Sequence, residues 1–133
     1  MNSVFLDTVG LLAIWDDTDQ WHRLASTAYA TIRRGPVEVL TTTFVLAECA
    51  NAAARCPYRL APDRMRDRLE KSGRLVFPTN EDWDNAWKAY RENQAGAAGI
   101  VDQISFVVMK RLGVARAFTN DKHFRAAGLE PMF

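Results

Sequence analysis

The sequence predicts an α/β fold in which a mostly parallel sheet is covered by helices on both faces. Three observations carry that prediction. Short apolar runs recur along the chain, and helical segments separate them, so strand and helix alternate from one end to the other. Pro and Gly fall between these segments and mark their ends. Hydrophobic residues make up 48% of the 133 positions and charged residues 25%, enough apolar side chain for one domain with a real core.

The elements follow in order. Ser3 to Leu6 is expected as a short buried strand, and Thr8 to Trp15, with Leu11, Leu12 and Ile14, as a short helix. The cluster Asp16-Asp17-Thr18-Asp19 breaks that helix and offers a cap to the next, which runs to about Arg34 with Trp21, Leu24, Ala28 and Ile32 at helical spacing. Gly35-Pro36 stops it, and Val37 to Thr41 reads as a second strand. Thr42 or Thr43 caps a helix from Phe44 to about Arg55, closed by Pro57. Pro62 suits a first helical turn, and the charged segment to Lys71 ends at Gly73. Leu75 to Phe77 is expected as a third strand. Thr79 and Asp82 have the spacing of a capping box for a helix carrying Trp83, Trp87 and Tyr90. Gln94 to Gly99 reads as a small-residue loop, and Ile100 to Leu112 as an apolar helix with Gly113 at its C-terminal end. Val114 to Thr119 is a fourth strand, Asp121 to Ala127 a short helix, and Leu129 to Phe133 a last short strand. No repeat or linker interrupts the run, so the organisation is one domain over residues 1–133.

Net charge is +1, so any nucleic-acid surface must be a local patch. Cys49 and Cys56 are the only cysteines, without a companion ligand pair, which argues against a zinc site or a disulfide framework and fits a reducing, cytoplasmic compartment. The N-terminus has no basic segment ahead of its apolar run and meets Asp7 too early for a signal peptide. No stretch is long enough to span a membrane.

Four acids stand out. Asp7 ends the first strand, Asp121 follows the fourth, Asp102 opens the apolar helix, and Glu48 interrupts another apolar helix, where it is expected to face inward or border the apolar face. Ligands of open α/β sheets sit beyond the carboxyl ends of the strands, where this topology gathers these residues. Taken singly, each is read first as a structural residue: Asp7, Asp102 and Asp121 as N-caps or turn residues, and Glu48 as a partly exposed helix residue or one paired with Arg55 or another base. Taken together, four carboxylates aimed at one point repel each other and call for a cation, which indicates a divalent metal and phosphate chemistry.

These residues resemble the PIN-domain family, most closely its VapC-type toxins. Val4-Phe5-Leu6-Asp7-Thr8 is similar to the family's first motif, and Thr43-Phe44-Val45-Leu46-Ala47-Glu48 to its second. Val101-Asp102-Gln103-Ile104-Ser105-Phe106 is similar to the third, and Ala117-Phe118-Thr119-Asn120-Asp121-Lys122-His123-Phe124 to the fourth. The resemblance implies a three-layer α/β/α Rossmann-like domain and a ribonuclease dependent on Mg²⁺ or Mn²⁺. Its acidic set maps onto Asp7, Glu48, Asp102 and Asp121. Asp7, Asp102 and Asp121 are the expected direct ligands, Glu48 holds a second ion or orients water, and Thr8, Thr119 and Asn120 support them. Two positions depart from the pattern: Val9, where a small polar residue is frequent, and Val101, where a hydroxyl residue is. The resemblance further implies an RNA substrate, a cognate antitoxin and a homodimer.

Other features are weighed beside this. Arg64, Arg68 and Lys71 share one helical face and form either a phosphate-tracking patch or a solvated face paired with nearby acids. His123 reads as a structural or surface histidine that could reach substrate, His22 as structural, and the four tryptophans mainly as core. A dehalogenase-type phosphatase needs a second Asp where Val9 stands, and no glycine-rich phosphate loop is present. The remaining alternative is a PIN-like module that binds RNA or protein without cutting.

Overall fold

The computed structural model describes residues 2–133. Strands β1 (Ser3–Leu6), β2 (Glu38–Thr42), β3 (Leu75–Val76), β4 (Arg116–Phe118) and β5 (Glu130–Pro131) form one parallel sheet in the order β3-β2-β1-β4-β5. β1 lies at the centre, and Val4, Phe5 and Leu6 are wholly buried, as expected for a parallel strand covered on both faces. The edge strands are two residues each, which leaves little unpaired backbone.

The helices are α1 (Thr8–Trp15), α2 (His22–Arg34), α3 (Thr43–Ala53), α4 (Ala61–Lys71), α5 (Asn80–Arg91), α6 (Gln94–Ala97), α7 (Ile100–Leu112) and α8 (Lys122–Ala126). Right-handed crossovers put α1 to α4 on one face, and α5, α7 and α8 on the other, which agrees with the contacts of α1 with α2 and α3, and of α7 with α5 and α8. The chain leaves β1 towards β2 on one side and returns as β4 on the other. The switch point of the sheet is therefore the crevice beyond the ends of β1 and β4.

Local chemistry sets the boundaries. Thr79 and Asp82 form the expected capping box at α5, and Thr42 caps α3 by accepting from the Val45 N–H. Gly113 closes α7 at φ 70°. Asp82, 2% exposed, also receives two hydrogen bonds from Arg111, at 2.8 and 2.7 Å, which ties the start of α5 to the end of α7. That guanidinium holds the Asp82 carboxyl below its ordinary range.

Three expectations are corrected. The inward face of α2 is Ala25 and Ile32, flanked by Ala28 and Tyr29, while Trp21 and Leu24 are exposed. Ring contact of Tyr29 with Phe118 under β4 sets that rotation. Trp83 is also exposed, stacked on Phe44 rather than buried in the core. The loop expected at Gln94 to Gly99 is instead a tight left-handed turn, with Asn93, Ala95, Gly96 and Ala97 all at positive φ.

Candidate active site

The first acid is placed by a helix start. Asp7 follows β1 and caps α1, its Oδ2 accepting from the Val9 N–H at 3.4 Å. The helix can enter here only because Gly10 lies flush on β4: a Cβ there would stand 2.2 Å from the Phe118 carbonyl oxygen. This approach brings the end of β1 against the end of β4, where the buried Thr119 hydroxyl donates to Asp7 Oδ2 at 2.8 Å. The same hydroxyl accepts from the Asp121 N–H at 3.1 Å. Asp121 in turn caps α8, its Oδ1 accepting from the His123 N–H at 2.9 Å. One threonine thus links two of the acids. Asn120 lies between them, half-buried.

Asp102 is half-buried in the first turn of α7, where the helix dipole favours a carboxylate. Glu48 is exposed, which corrects the inward one of its two expected orientations and leaves it at the border of the apolar face. On α3 the buried stripe is Val45, Leu46, Cys49 and Ala53, so Glu48 turns to the surface with Ala47 and accepts from the Thr8 hydroxyl at 2.6 Å. Its neighbour Cys49 is inert, since burial pushes the thiol up to about 12.

The electrostatics show that the four acids share one field. Burial, then the charge of Asp102, pushes the Asp7 carboxyl up to about 7. Burial, then the charges of Asp121 and Glu48, pushes Asp102 up to about 6. The ion pairs among the described residues join Arg66, Lys71, Arg74 and Arg111 to other acids, and none reaches these four. A carboxylate set that runs from the buried Asp7 through the half-buried Asp102 and Asp121 to the exposed Glu48, with no ion pair among the described residues, has the donor chemistry of a hard divalent cation. Among the described residues, no three acid, imidazole or thiol groups close into a ligand shell as they stand.

The remaining candidates lie elsewhere or act structurally. Arg64 and Arg68 line a cavity with Trp15 and Met65 at the far end of α1 from Asp7, about 12 Å along the helix by its rise per residue. Lys71 pairs with Asp67 at 2.9 Å, while the pairs of Arg66 with Asp63 and Glu70 lie on the other side of α4, along the α3–α4 groove. His22 is structural, its Nδ1 bonded to the Ala13 carbonyl at 2.8 Å. Sequence reasoning missed Gly10 and the buried Gln103. A glycine inside an apolar helix was the one available signal for the first.

Residues 4–129 match the PIN domain. The chain belongs to the PIN-domain family. Among relatives of this PIN domain, the 23S rRNA-specific endonuclease VapC20 of Mycobacterium tuberculosis is 29% identical over 126 residues, covering 94% of each chain. The crystal structure of that species' VapC20, described as a Sarcin-Ricin loop cleaving toxin, superposes with a TM-score of 0.79 at 25% identity and covers 95% of each chain. The match spans all four acidic positions of the PIN domain.

Proposed function

We propose that this chain is an endoribonuclease dependent on Mg²⁺ or Mn²⁺, and the toxin of a type II toxin–antitoxin pair. The observation that carries the reading is the carboxylate set at the switch point, outside every ion pair of the described residues, with Asp7 raised by burial and the charge of Asp102, and Asp102 raised by burial and the charges of Asp121 and Glu48. The relationship to a 23S rRNA-specific endonuclease supports it, and the substrate class proposed on that basis is a structured ribosomal RNA loop.

Asp7, Asp102 and Asp121 would hold the ion, with Glu48 at a second ion or at the attacking water. When bound, the ion neutralises charge on the scissile phosphate and acidifies a water for in-line attack. The chain's own residues prepare this. Hydrogen bonds hold one oxygen each of Asp7, Asp121 and Glu48, and the other oxygen is offered to the ion. Burial and the charge of Asp102 favour the protonated form of Asp7 relative to an ordinary carboxylate, so cation binding there would be coupled to loss of that proton. Thr119 fixes Asp7 against the backbone of Asp121, so the acids keep their spacing as charge changes.

Two surface features support the proposed partners. A groove of about 610 Å³ between α3 and α4, with Leu46, Ala50, Leu60 and Phe77 along it, is suited to an antitoxin peptide. The exposed Trp83, with Phe44 stacked on it, forms the face proposed for a homodimer. The location is the cytoplasm, in keeping with the free Cys49 and Cys56; no helix among the described residues is long and apolar enough to cross a membrane. The open arrangement of the carboxylates favours a second reading, a PIN module of weak or absent activity that binds RNA or protein. Induced expression separates the two. The toxin reading predicts growth arrest that Asp7→Asn abolishes; arrest by both proteins, or by neither, contradicts it.

A further inference from the structure

The left-handed turn between α5 and α7 has no role in the acid chemistry, yet it is built at a cost. Asn93, Ala95 and Ala97 take positive φ of 56°, 56° and 59°, a region L side chains rarely adopt; Asn93 and Gly96 suit it by type, and the two alanines do not. Such a conformation persists where its surroundings over-determine it. Here the surroundings are side chains from the two acid-bearing helices. Gln103, 2% exposed and next to Asp102, donates from Nε2 to the Gln94 carbonyl at 2.9 Å and to that of Ala98 at 3.4 Å. His123, two residues after Asp121, bonds the Ala95 carbonyl through Nδ1 at 3.0 Å. A carbonyl only accepts, so Nδ1 carries the proton. Gly96 lies against the same ring: a Cβ would sit 3.4 Å from Nδ1.

The turn is therefore tied to α7 by Gln103 and to α8 by His123. The His123 backbone N–H is held in turn by the Asp121 carboxylate. Phe106 and Phe124 add an edge-on contact between the two helices, with centroids 4.8 Å apart. We propose that His123 is a positioning residue: through the Ala95 carbonyl it fastens the left-handed turn across the starts of α7 and α8, and so sets Asp121 against Asp102. The proposal rests on the reading of those carboxylates as the cation site. His123 touches neither ion nor RNA in this role. Its contribution is the fixed donor position of Nδ1.

Two substitutions isolate that donor. His123→Asn keeps an N–H close to where Nδ1 stands, and His123→Phe keeps the ring shape without it. Two readouts are taken on the whole protein: hydrogen exchange of the Ala97 amide, which donates to the Asn93 carbonyl at 3.2 Å, in metal-free protein, and the Mn²⁺ dissociation constant by calorimetry. His123→Phe should lose at least tenfold of the Ala97 protection and weaken Mn²⁺ binding roughly 10–100-fold, the usual effect of removing an orienting partner. His123→Asn should stay within about twofold of the parent in both. Unchanged protection in His123→Phe overturns the proposal, as does lost protection with unchanged Mn²⁺ affinity, or equal loss in both variants. If the parent itself binds no Mn²⁺, the cation-site reading fails and the positioning role falls with it. The exchange data still report separately whether the clasp exists.

Discussion

Replacing Asp7 with Asn should stabilise the metal-free protein, and by more as the pH rises. Asp7 is 1% exposed, and burial together with Asp102 lifts its carboxyl from 3.8 to about 7. In the unfolded chain the group ionises near its ordinary value, so between those two pH values the folded state holds a proton that the unfolded state has lost. Stability associated with Asp7 is thus fully present below pH 3.8 and is lost progressively as pH rises to about 7. A gap of about three pH units at 1.36 kcal/mol each gives about 4 kcal/mol. Asn keeps the shape and can accept from Thr119 through its amide oxygen, but it carries no charge to bury. Urea unfolding in EDTA across pH 4 to 8 reads the effect directly. The advantage of Asp7→Asn should be small at pH 4 and grow to about 4 kcal/mol by pH 8, at unchanged m-value. Excess Mn²⁺ at pH 8 should restore the parent by about 3 kcal/mol at a hundredfold excess over its dissociation constant, and leave the variant unmoved. A pH-independent difference, or a parent that gains stability towards pH 8 relative to the variant, would refute the picture of an uncompensated buried carboxylate.

Three further outcomes follow from individual contacts. Gly10→Ala must push α1 off the Phe118 carbonyl, so it should cost about 1–3 kcal/mol in urea unfolding and lower activity by separating Asp7 from Thr119. Thr119→Val removes a donor to Asp7 and the acceptor of the Asp121 N–H; kcat/KM for RNA cleavage should fall roughly 10–100-fold, with about 1–2 kcal/mol of stability lost. Arg111→Ala leaves Asp82 buried without its partner, so unfolding at pH 7 should show a loss of about 1.5–3 kcal/mol, and the loss should shrink as acid protonates Asp82.

The alternation of strands and helices was legible because apolar runs, caps and breakers agree along this chain: β1 and α7 fall where expected, and so does the Thr79–Asp82 box. The acids were legible for the same reason, since strand ends and helix starts fix where Asp7, Asp102 and Asp121 lie. Orientation about a helix axis was harder to read. Spacing alone cannot say which of two adjacent stripes turns inward, and Glu48, Trp21 and Trp83 all came out on the exposed side. The left-handed turn was illegible because Ala95 and Ala97 have no propensity for it; side-chain donors from Gln103 on the next helix and from His123, 28 residues on from Ala95, impose it. The packing role of Gly10 is hidden in the same way, because the carbonyl it admits lies over a hundred residues away.

The central claim is that the carboxylates at the switch point hold a divalent ion that cuts RNA. Incubating the purified, antitoxin-free protein with total RNA in Mg²⁺ or Mn²⁺, in EDTA, and beside the Asp7→Asn variant tests it most directly, with cut sites mapped by primer extension. The account predicts discrete cuts in metal that vanish in EDTA and in the variant. Cleavage that survives EDTA or Asp7→Asn, or none from a folded protein on RNA that includes intact ribosomal RNA, would contradict it.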